Sequence, residues 1–166
     1  MKVSLRTDVG RIRTVNEDRA DVQPDVNGCT IAIVADGMGG HQAGDVASQI
    51  AVDTIRTELR HVDPSMNADQ LRETLRSAIL QANANIFESA SKKESYKGMG
   101  TTVVTAIVAG RSVMIGHIGD SRAYKFDGAT LELLTDDHSL VNELVKSGQI
   151  TPEQAMSHPR RNVLLR

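Results

Sequence analysis

Between Cys29 and Ala35 the chain reads Cys-Thr-Ile-Ala-Ile-Val-Ala, a compact apolar run with β-branched residues that predicts a strand buried on both faces. It gives way to Asp36-Gly37-Met38-Gly39-Gly40-His41, a segment too rich in glycine for regular structure. From about Ala43 to Arg60 the period lengthens. Val46, Ile50, Ala51, Ile55 and Leu59 share one helical face, with Asp45, Gln49, Asp53, Arg56 and Arg60 mostly elsewhere. A second helix is predicted from about Asn67, whose side chain can cap it while Gln70 takes the capping-box position. Its apolar face is Leu71, Leu75, Ala78, Ile79, Ala82 and Ile86, and Asp63-Pro64-Ser65 separates the two helices, which predicts an antiparallel pair.

After Gly98-Met99-Gly100 the pattern returns to short strands. Thr101 to Ala109 and Ser112 to Ile118 flank Gly110-Arg111, and Arg122 to Phe126 and Thr130 to Leu134 flank Asp127-Gly128-Ala129, so two hairpins are expected. Consecutive short strands with tight turns point to antiparallel sheet and away from βαβ units. The tail is helical again. His138 to Lys146 is followed by Gly148, placed to end a helix, and Thr151-Pro152-Glu153-Gln154 is a full start signal of cap, proline and capping-box glutamine. The last residues, Arg161-Asn162-Val163-Leu164-Leu165-Arg166, form an apolar run with no turn or polar tail, which reads as a place where a domain should continue.

Composition narrows the function classes. The chain has 166 residues, the size of one domain or one large piece of one. A net charge of −2, from 19 Lys+Arg against 21 Asp+Glu, gives no electrostatic pull toward nucleic acid or an anionic membrane. With two Phe, two Tyr and no Trp, stacking platforms for single strands are not expected and the core must be aliphatic. The single cysteine, Cys29, excludes an internal disulfide framework and multi-cysteine zinc sites, and it reads as a small buried hydrophobe. The apolar runs fall far short of the ~20 residues that span a bilayer, and the N-terminus lacks a signal-peptide core, so a soluble, cytoplasmic protein is expected.

Several site types fail on spacing. Gly39 and Gly44 have the separation of a Walker loop, but Asp45 stands where the lysine belongs. A dinucleotide fingerprint from Gly37 fails at Gln42, and a nucleophile elbow at Gly119-Asp120-Ser121-Arg122 fails at Ala123. What remains are carboxylates at element edges. Each has an ordinary reading: Asp36-Gly37 as a turn pair, Asn16-Glu17-Asp18 as a polar loop, and Asp120 as a turn aspartate bonding its own backbone. Taken together, Glu17, Asp18, Asp36 and Asp120 form a hard, oxygen-only donor set suited to Mg²⁺ or Mn²⁺. Two such ions can turn water into a nucleophile at neutral pH, and Arg13 can hold a phosphate by its planar fork. The chemistry described is metal-assisted hydrolysis of a phosphate ester without a covalent protein nucleophile.

Five ordered motifs carry a family resemblance: Gly10-Arg11-Ile12-Arg13-Thr14-Val15-Asn16-Glu17-Asp18, Asp36-Gly37-Met38-Gly39-Gly40-His41, Gly98-Met99-Gly100-Thr101-Thr102, Gly116-His117-Ile118-Gly119-Asp120-Ser121-Arg122 and Leu134-Thr135-Asp136-Asp137-His138-Ser139. Over essentially its whole length the chain resembles the metal-dependent protein phosphatases of type 2C, in their bacterial serine/threonine form. The resemblance implies an α+β fold, a four-layer α-β-β-α sandwich of two antiparallel sheets flanked by helices and incomplete in this chain. It implies that Asp36 bridges two Mn²⁺ or Mg²⁺ ions, that the Gly37 carbonyl ligates one, and that Glu17 and Asp18 belong to the metal motif, with Asp18 holding water. By the same resemblance Arg13 binds phosphate, Asp120 serves a third, weaker metal, and His41 is a candidate proton donor to the leaving oxygen. Met99, Thr101 and Thr102 are packing and support, and residues 138–162 are the family's flap beside the cleft, with a packed terminal helix pair as the alternative. Implied partners are phosphorylated proteins, including a serine/threonine protein kinase.

The family supplies two further metal acids, in a Ser-Asp-Gly segment and an Asp-Asn pair, and this sequence has neither context. The chain is therefore expected to hold the N-terminal two-thirds of one catalytic domain, with impaired metal binding and activity and with unpaired sheet edges. The competing reading is a non-catalytic module that keeps the fold and recognises phosphoproteins. A nucleotide-binding reading has less behind it, since neither phosphate-loop spacing is met.

Overall fold

The structure, a computed structural model, describes residues 1–39 and 43–165. The chain divides into two compact units, Met1–Gly116 and His117–Arg166. The first is built on an antiparallel sheet of β1 (Asp18–Val26), β2 (Cys29–Met38), β4 (Val103–Ala109) and β5 (Ser112–Ile118), in that order, with the short β3 (Gly100–Thr101) pairing the far end of β2. Helices α1 (Ala43–Glu58) and α2 (Ala68–Lys92) pack against each other, and α1 packs on β2. The second unit holds a two-stranded sheet, β6 (Tyr124–Phe126) with β7 (Leu131–Leu133), and the helices α3 (Leu140–Lys146) and α4 (Pro152–Met156). Two antiparallel sheets with helices is the α+β class that the sequence implies.

β1 is longer and more regular than a polar loop around residues 16–18 suggests. Asn27 and Gly28 both take positive φ, 51° and 87°, the conformation that a two-residue hairpin turn demands and that Asn-Gly favours. Pro24 is tolerated because β1 is an edge strand, and the ladder shifts register between Gln23 and Val26.

Two expectations for β2 need correction. The strand does not stop before the glycine-rich segment; it continues through Asp36 and Gly37 to Met38, because β1, β4 and β3 supply ladder partners along its whole length. Nor is it buried on both faces. Ile31, Ile33 and Ala35 are buried on the helix side, while Val34 on the other face is 47% exposed.

The predicted helical face of α1 is also rotated. The buried positions are Ala43, Gly44, Ala47, Ser48, Ala51, Val52 and Ile55, with Val46 and Ile50 only half-buried. Small residues win the interface because they let the helix axis approach the sheet, and the larger Ile55 and Leu59 fill the end of the contact.

The local signals for α2 hold in detail. Asn67 Oδ1 accepts from Gln70 N at 2.9 Å and Gln70 Oε1 accepts from Asn67 N at 2.8 Å, and Leu71, Leu75, Ala78, Ala82 and Ile86 are buried. Thr151 and Gln154 form the same reciprocal cap on α4. Cys29 is fully buried, and burial pushes its thiol pKa up, with Asp63 adding to the shift, so it is a packing residue. Among the described residues no helix is long and apolar enough to cross a membrane.

Candidate metal and phosphate site

The site grows from the β1–β2 ladder. Asp18 stands directly opposite Asp36. Since Gly37 N donates to Glu17 O at 3.2 Å, residues 17 and 37 are hydrogen-bonded partners, so 18 and 36 form the closer, non-hydrogen-bonded kind of pair. Their Cα atoms then lie about 4.5 Å apart and both side chains leave the same face of the sheet. Asp36 therefore sits inside a ladder and not at the frayed end of a strand. Its backbone is fixed on the other side by Thr102, whose Oγ1 accepts from Asp36 N at 3.1 Å and whose N–H donates to Asp36 O at 2.9 Å. Thr102 is buried, as is Met99, in agreement with their expected supporting role.

Two carboxylates placed opposite one another repel, which costs stability unless a cation lies with them. The donor set suits a hard divalent cation: it is oxygen-only and exposed, and the ladder's one cysteine, Cys29, stands buried at its far end opposite Val26. Among the described residues, however, no three His, Cys, Asp or Glu side chains gather closely enough to hold an ion together. The ladder supplies two carboxylates.

Glu17 precedes the pair and is mostly buried. Its side chain lies against α1: a methyl group on Gly44 would fall 2.6 Å from Glu17 Oε1. Gly37 is similarly enclosed, since a Cβ there would meet Glu17 O at 2.7 Å and the Gly44 carbonyl closer still. Glycine at 37 and 44 is thus required by close approach of strand and helix, with no left-handed backbone involved. Arg13 pairs with Glu17 at 3.5 Å, and its side chain is 76% exposed, so this ion pair is weak and leaves the guanidinium open to a ligand.

Asp120 belongs to the second unit, on an exposed turn after β5. Residue 138 pins that turn from both sides: Gly119 N donates to His138 Nδ1 at 3.3 Å and His138 N donates to Gly119 O at 3.0 Å. The His138 ring stacks on His117 at 4.7 Å, and Arg122 makes a two-pronged pair with Asp137 at 2.9 and 2.6 Å. Asp137, with Tyr124 helping, holds the Arg122 guanidinium charged far above its ordinary range. Lys146 and Asn142 hold the Asp136 carboxyl below the usual carboxylate range. The predicted proton donor His41 lies outside the described residues.

Two residues with direct bonds to the acid segment, Arg19 and Ser48, belong to none of the sequence motifs. A helical-wheel pattern assigns Ser48 to neither face strongly, and only the pairing of β1 with β2 puts it beside Glu17. The signal that was available is Asn27-Gly28, which predicts the hairpin and hence brings residues 17–19 to the N-terminal end of α1.

Comparison with known proteins bears on the family. The family model described as protein phosphatase 2C matches residues 11–165. The chain is 46% identical over 166 residues to the serine/threonine phosphatase stp of Listeria welshimeri, covering all of this chain and 66% of that protein. Among solved structures, the serine/threonine phosphatase of S. agalactiae superposes with a TM-score of 0.90 at 39% identity, over 98% of this chain and 66% of the other. The catalytic domain of the serine/threonine protein phosphatase PstP, solved in complex with two manganese ions, gives a TM-score of 0.74 at 36% identity, over 90% of this chain and 61% of the other. The chain thus spans 66% of the length of the curated relatives it matches. By motif, fold and sequence, it belongs to the protein phosphatase 2C family.

Proposed function

We propose that this chain carries the N-terminal two-thirds of one phosphatase catalytic domain that hydrolyses phosphoserine and phosphothreonine in proteins with divalent metal. The single observation that carries the reading is the Asp18–Asp36 pair, two carboxylates held opposite one another on one face of a rigid ladder. Asp36 and Asp18, with the Gly37 carbonyl, are the residues that would hold Mn²⁺ or Mg²⁺, two ions in the complete domain; Glu17 would join them from the strand end, where its side chain turns toward α1, and Asp120 would serve a third. Such an ion, when bound, lowers the pKa of water toward neutrality and polarises the phosphoryl group.

The chain's own residues do the rest. Arg13, exposed and only loosely paired, binds the substrate phosphate through its planar fork. His41 donates the proton to the leaving serine or threonine oxygen. Residues 138–162 act as a flap that shapes substrate access, and a protein kinase is among the phosphoprotein substrates of a cytoplasmic enzyme.

The test is phosphate release from a phosphothreonine peptide with Mn²⁺, with chelator, and with Asp36→Asn. Turnover that needs Mn²⁺ and falls at least a hundredfold in the variant is expected, since losing a metal ligand forfeits much of the several kcal/mol by which a bound metal lowers the barrier. Tight phosphopeptide binding with no turnover in the complete protein would replace this reading with the non-catalytic module.

A further inference from the structure

β1 is the edge of its sheet, and this creates a specific problem at the acid segment. Glu17 O bonds inward to Gly37 N, so the neighbouring carbonyls of Asn16 and Asp18 face the open edge, where the ladder offers them nothing. Both are taken by one side chain: Arg19 Nη1 donates to Asn16 O at 3.1 Å and to Asp18 O at 2.9 Å. The guanidinium is itself held from α1, through Nε to Gln49 Oε1 at 3.1 Å and through Nη2 to the Asp45 carboxylate. The middle carbonyl receives a second donor, Ser48 Oγ, at 2.6 Å, and Ser48 is fully buried. Asp45, Ser48 and Gln49 are i, i+3 and i+4 on α1, so a single patch of helix grips three consecutive carbonyls.

We propose that Arg19 and Ser48 are positioning residues for the divalent-cation site, holding the backbone of residues 16–18 so that the Asp18 carboxylate stays in place opposite Asp36. The inference rests on reading the Asp18–Asp36 pair as a cation site. Both side chains bond backbone carbonyls and α1, not the Asp18 or Asp36 carboxylate. They act by removing freedom from a strand end that the sheet holds on one side only, and outer-shell partners of this kind typically change metal affinity or activity by about 10- to 100-fold. The role is specific to the side chains present. A guanidinium has donors in a rigid fork, enough for two carbonyls, an amide and a carboxylate together, whereas a lysine ammonium is a single point charge on a flexible stem.

The experiment measures Mn²⁺ affinity by titration calorimetry on the polypeptide as its gene encodes it, for wild type, R19K, S48A, S48T and D36N, with amide exchange at residues 17 and 18 in metal-free protein. R19K and S48A are expected to weaken Mn²⁺ binding about tenfold and to speed exchange at 17 and 18, with the thermal midpoint nearly unmoved. S48T keeps the hydroxyl and is expected to bind as wild type does. Wild-type affinity in R19K and S48A beside lost affinity in D36N overturns the positioning role and leaves the cation site standing. Absence of Mn²⁺ binding by the wild type overturns both. Global unfolding of R19K and S48A alike makes them fold determinants and also overturns the assignment.

Discussion

Asp18 and Asp36 stand on a sheet whose helix side is packed by Ile31, Ile33, Ala35, Ala47, Ala51 and Ile55, all 0 or 1% exposed. Asp120 stands on a turn in a unit where, among the described residues, the buried side chains are the polar Thr135 and Ser139 and no large hydrophobic is buried. The first place is fixed by apolar burial and a backbone ladder. The second is fixed by ion pairs, a histidine stack and helix caps. The physical consequence is a difference in kind of stability: burial is insensitive to salt and pH near neutrality, whereas exposed charge pairs are weak, screened and titratable. The first place is thus the rigid one and the second the adjustable one.

The largest expected effect breaks the rigid place. Ile33→Ala or Ile55→Ala should cost about 2–5 kcal/mol, as large-to-small changes in a closed core do. Urea unfolding followed by far-UV circular dichroism checks it; a cost well under about 1 kcal/mol would mean that this core does not carry the ladder. Next is Gly44→Ala, whose methyl would fall 2.6 Å from Glu17 Oε1 and 2.8 Å from the Gly37 carbonyl carbon. Strand and helix must separate, with an expected loss of about 1–3 kcal/mol. Thermal unfolding measures the loss, and Mn²⁺ affinity should fall with it.

The second unit should respond differently. Arg122→Ala removes the two-pronged pair with Asp137, whose side chains are 49% and 17% exposed, so solvent screening limits the expected loss to about 1 kcal/mol. Hydrogen exchange should speed around residues 119–138 and remain slow in β2 and α1. Exchange rising equally in both units would mean that they share one kind of stability.

These expectations also separate what the chain's own pattern discloses from what it hides. The reciprocal caps at Asn67/Gln70 and Thr151/Gln154 are legible because cap and partner lie three residues apart. The β6–β7 turn is legible for the same reason, since Asp127 Oδ1 accepts from Ala129 N and Thr130 N within its own turn. The type of chemistry, an oxygen-only acid set, is legible because it depends on residue identity alone. The pairing of Asp18 with Asp36 is not, because register is a long-range property and Pro24 and the acids of β1 weaken its strand signal. The burial of Ala47 in place of Val46 follows from how closely a helix can approach the sheet, and periodicity alone does not report that distance. Arg19 and Ser48 acquire their partners only once α1 and β1 meet.

The smallest effect is a pH dependence at Asp136 in the second unit. Lys146 and Asn142 hold the Asp136 carboxyl below its ordinary range. A lowered folded pKa means stabilisation that is present above the unfolded value, about 3.9, and is lost as pH falls through the folded value. Acidification below about pH 4 should therefore loosen the anchoring of α3 at Asp136, and D136N should remove this part of the acid response. Helix content and exchange at residues 136–146, followed between neutral and acidic pH, check it. An acid response of the same size in D136N would assign it to other groups.

The most direct test of the account is a Mn²⁺ titration of isotope-labelled protein, with paramagnetic broadening read amide by amide. Broadening is expected first at residues 17, 18, 36 and 37, and D36N is expected to abolish it there. Broadening that begins instead around Asp136 and Asp137, or that leaves residues 18 and 36 untouched at saturating Mn²⁺, would contradict the claim that the facing carboxylates of β1 and β2 are the cation site.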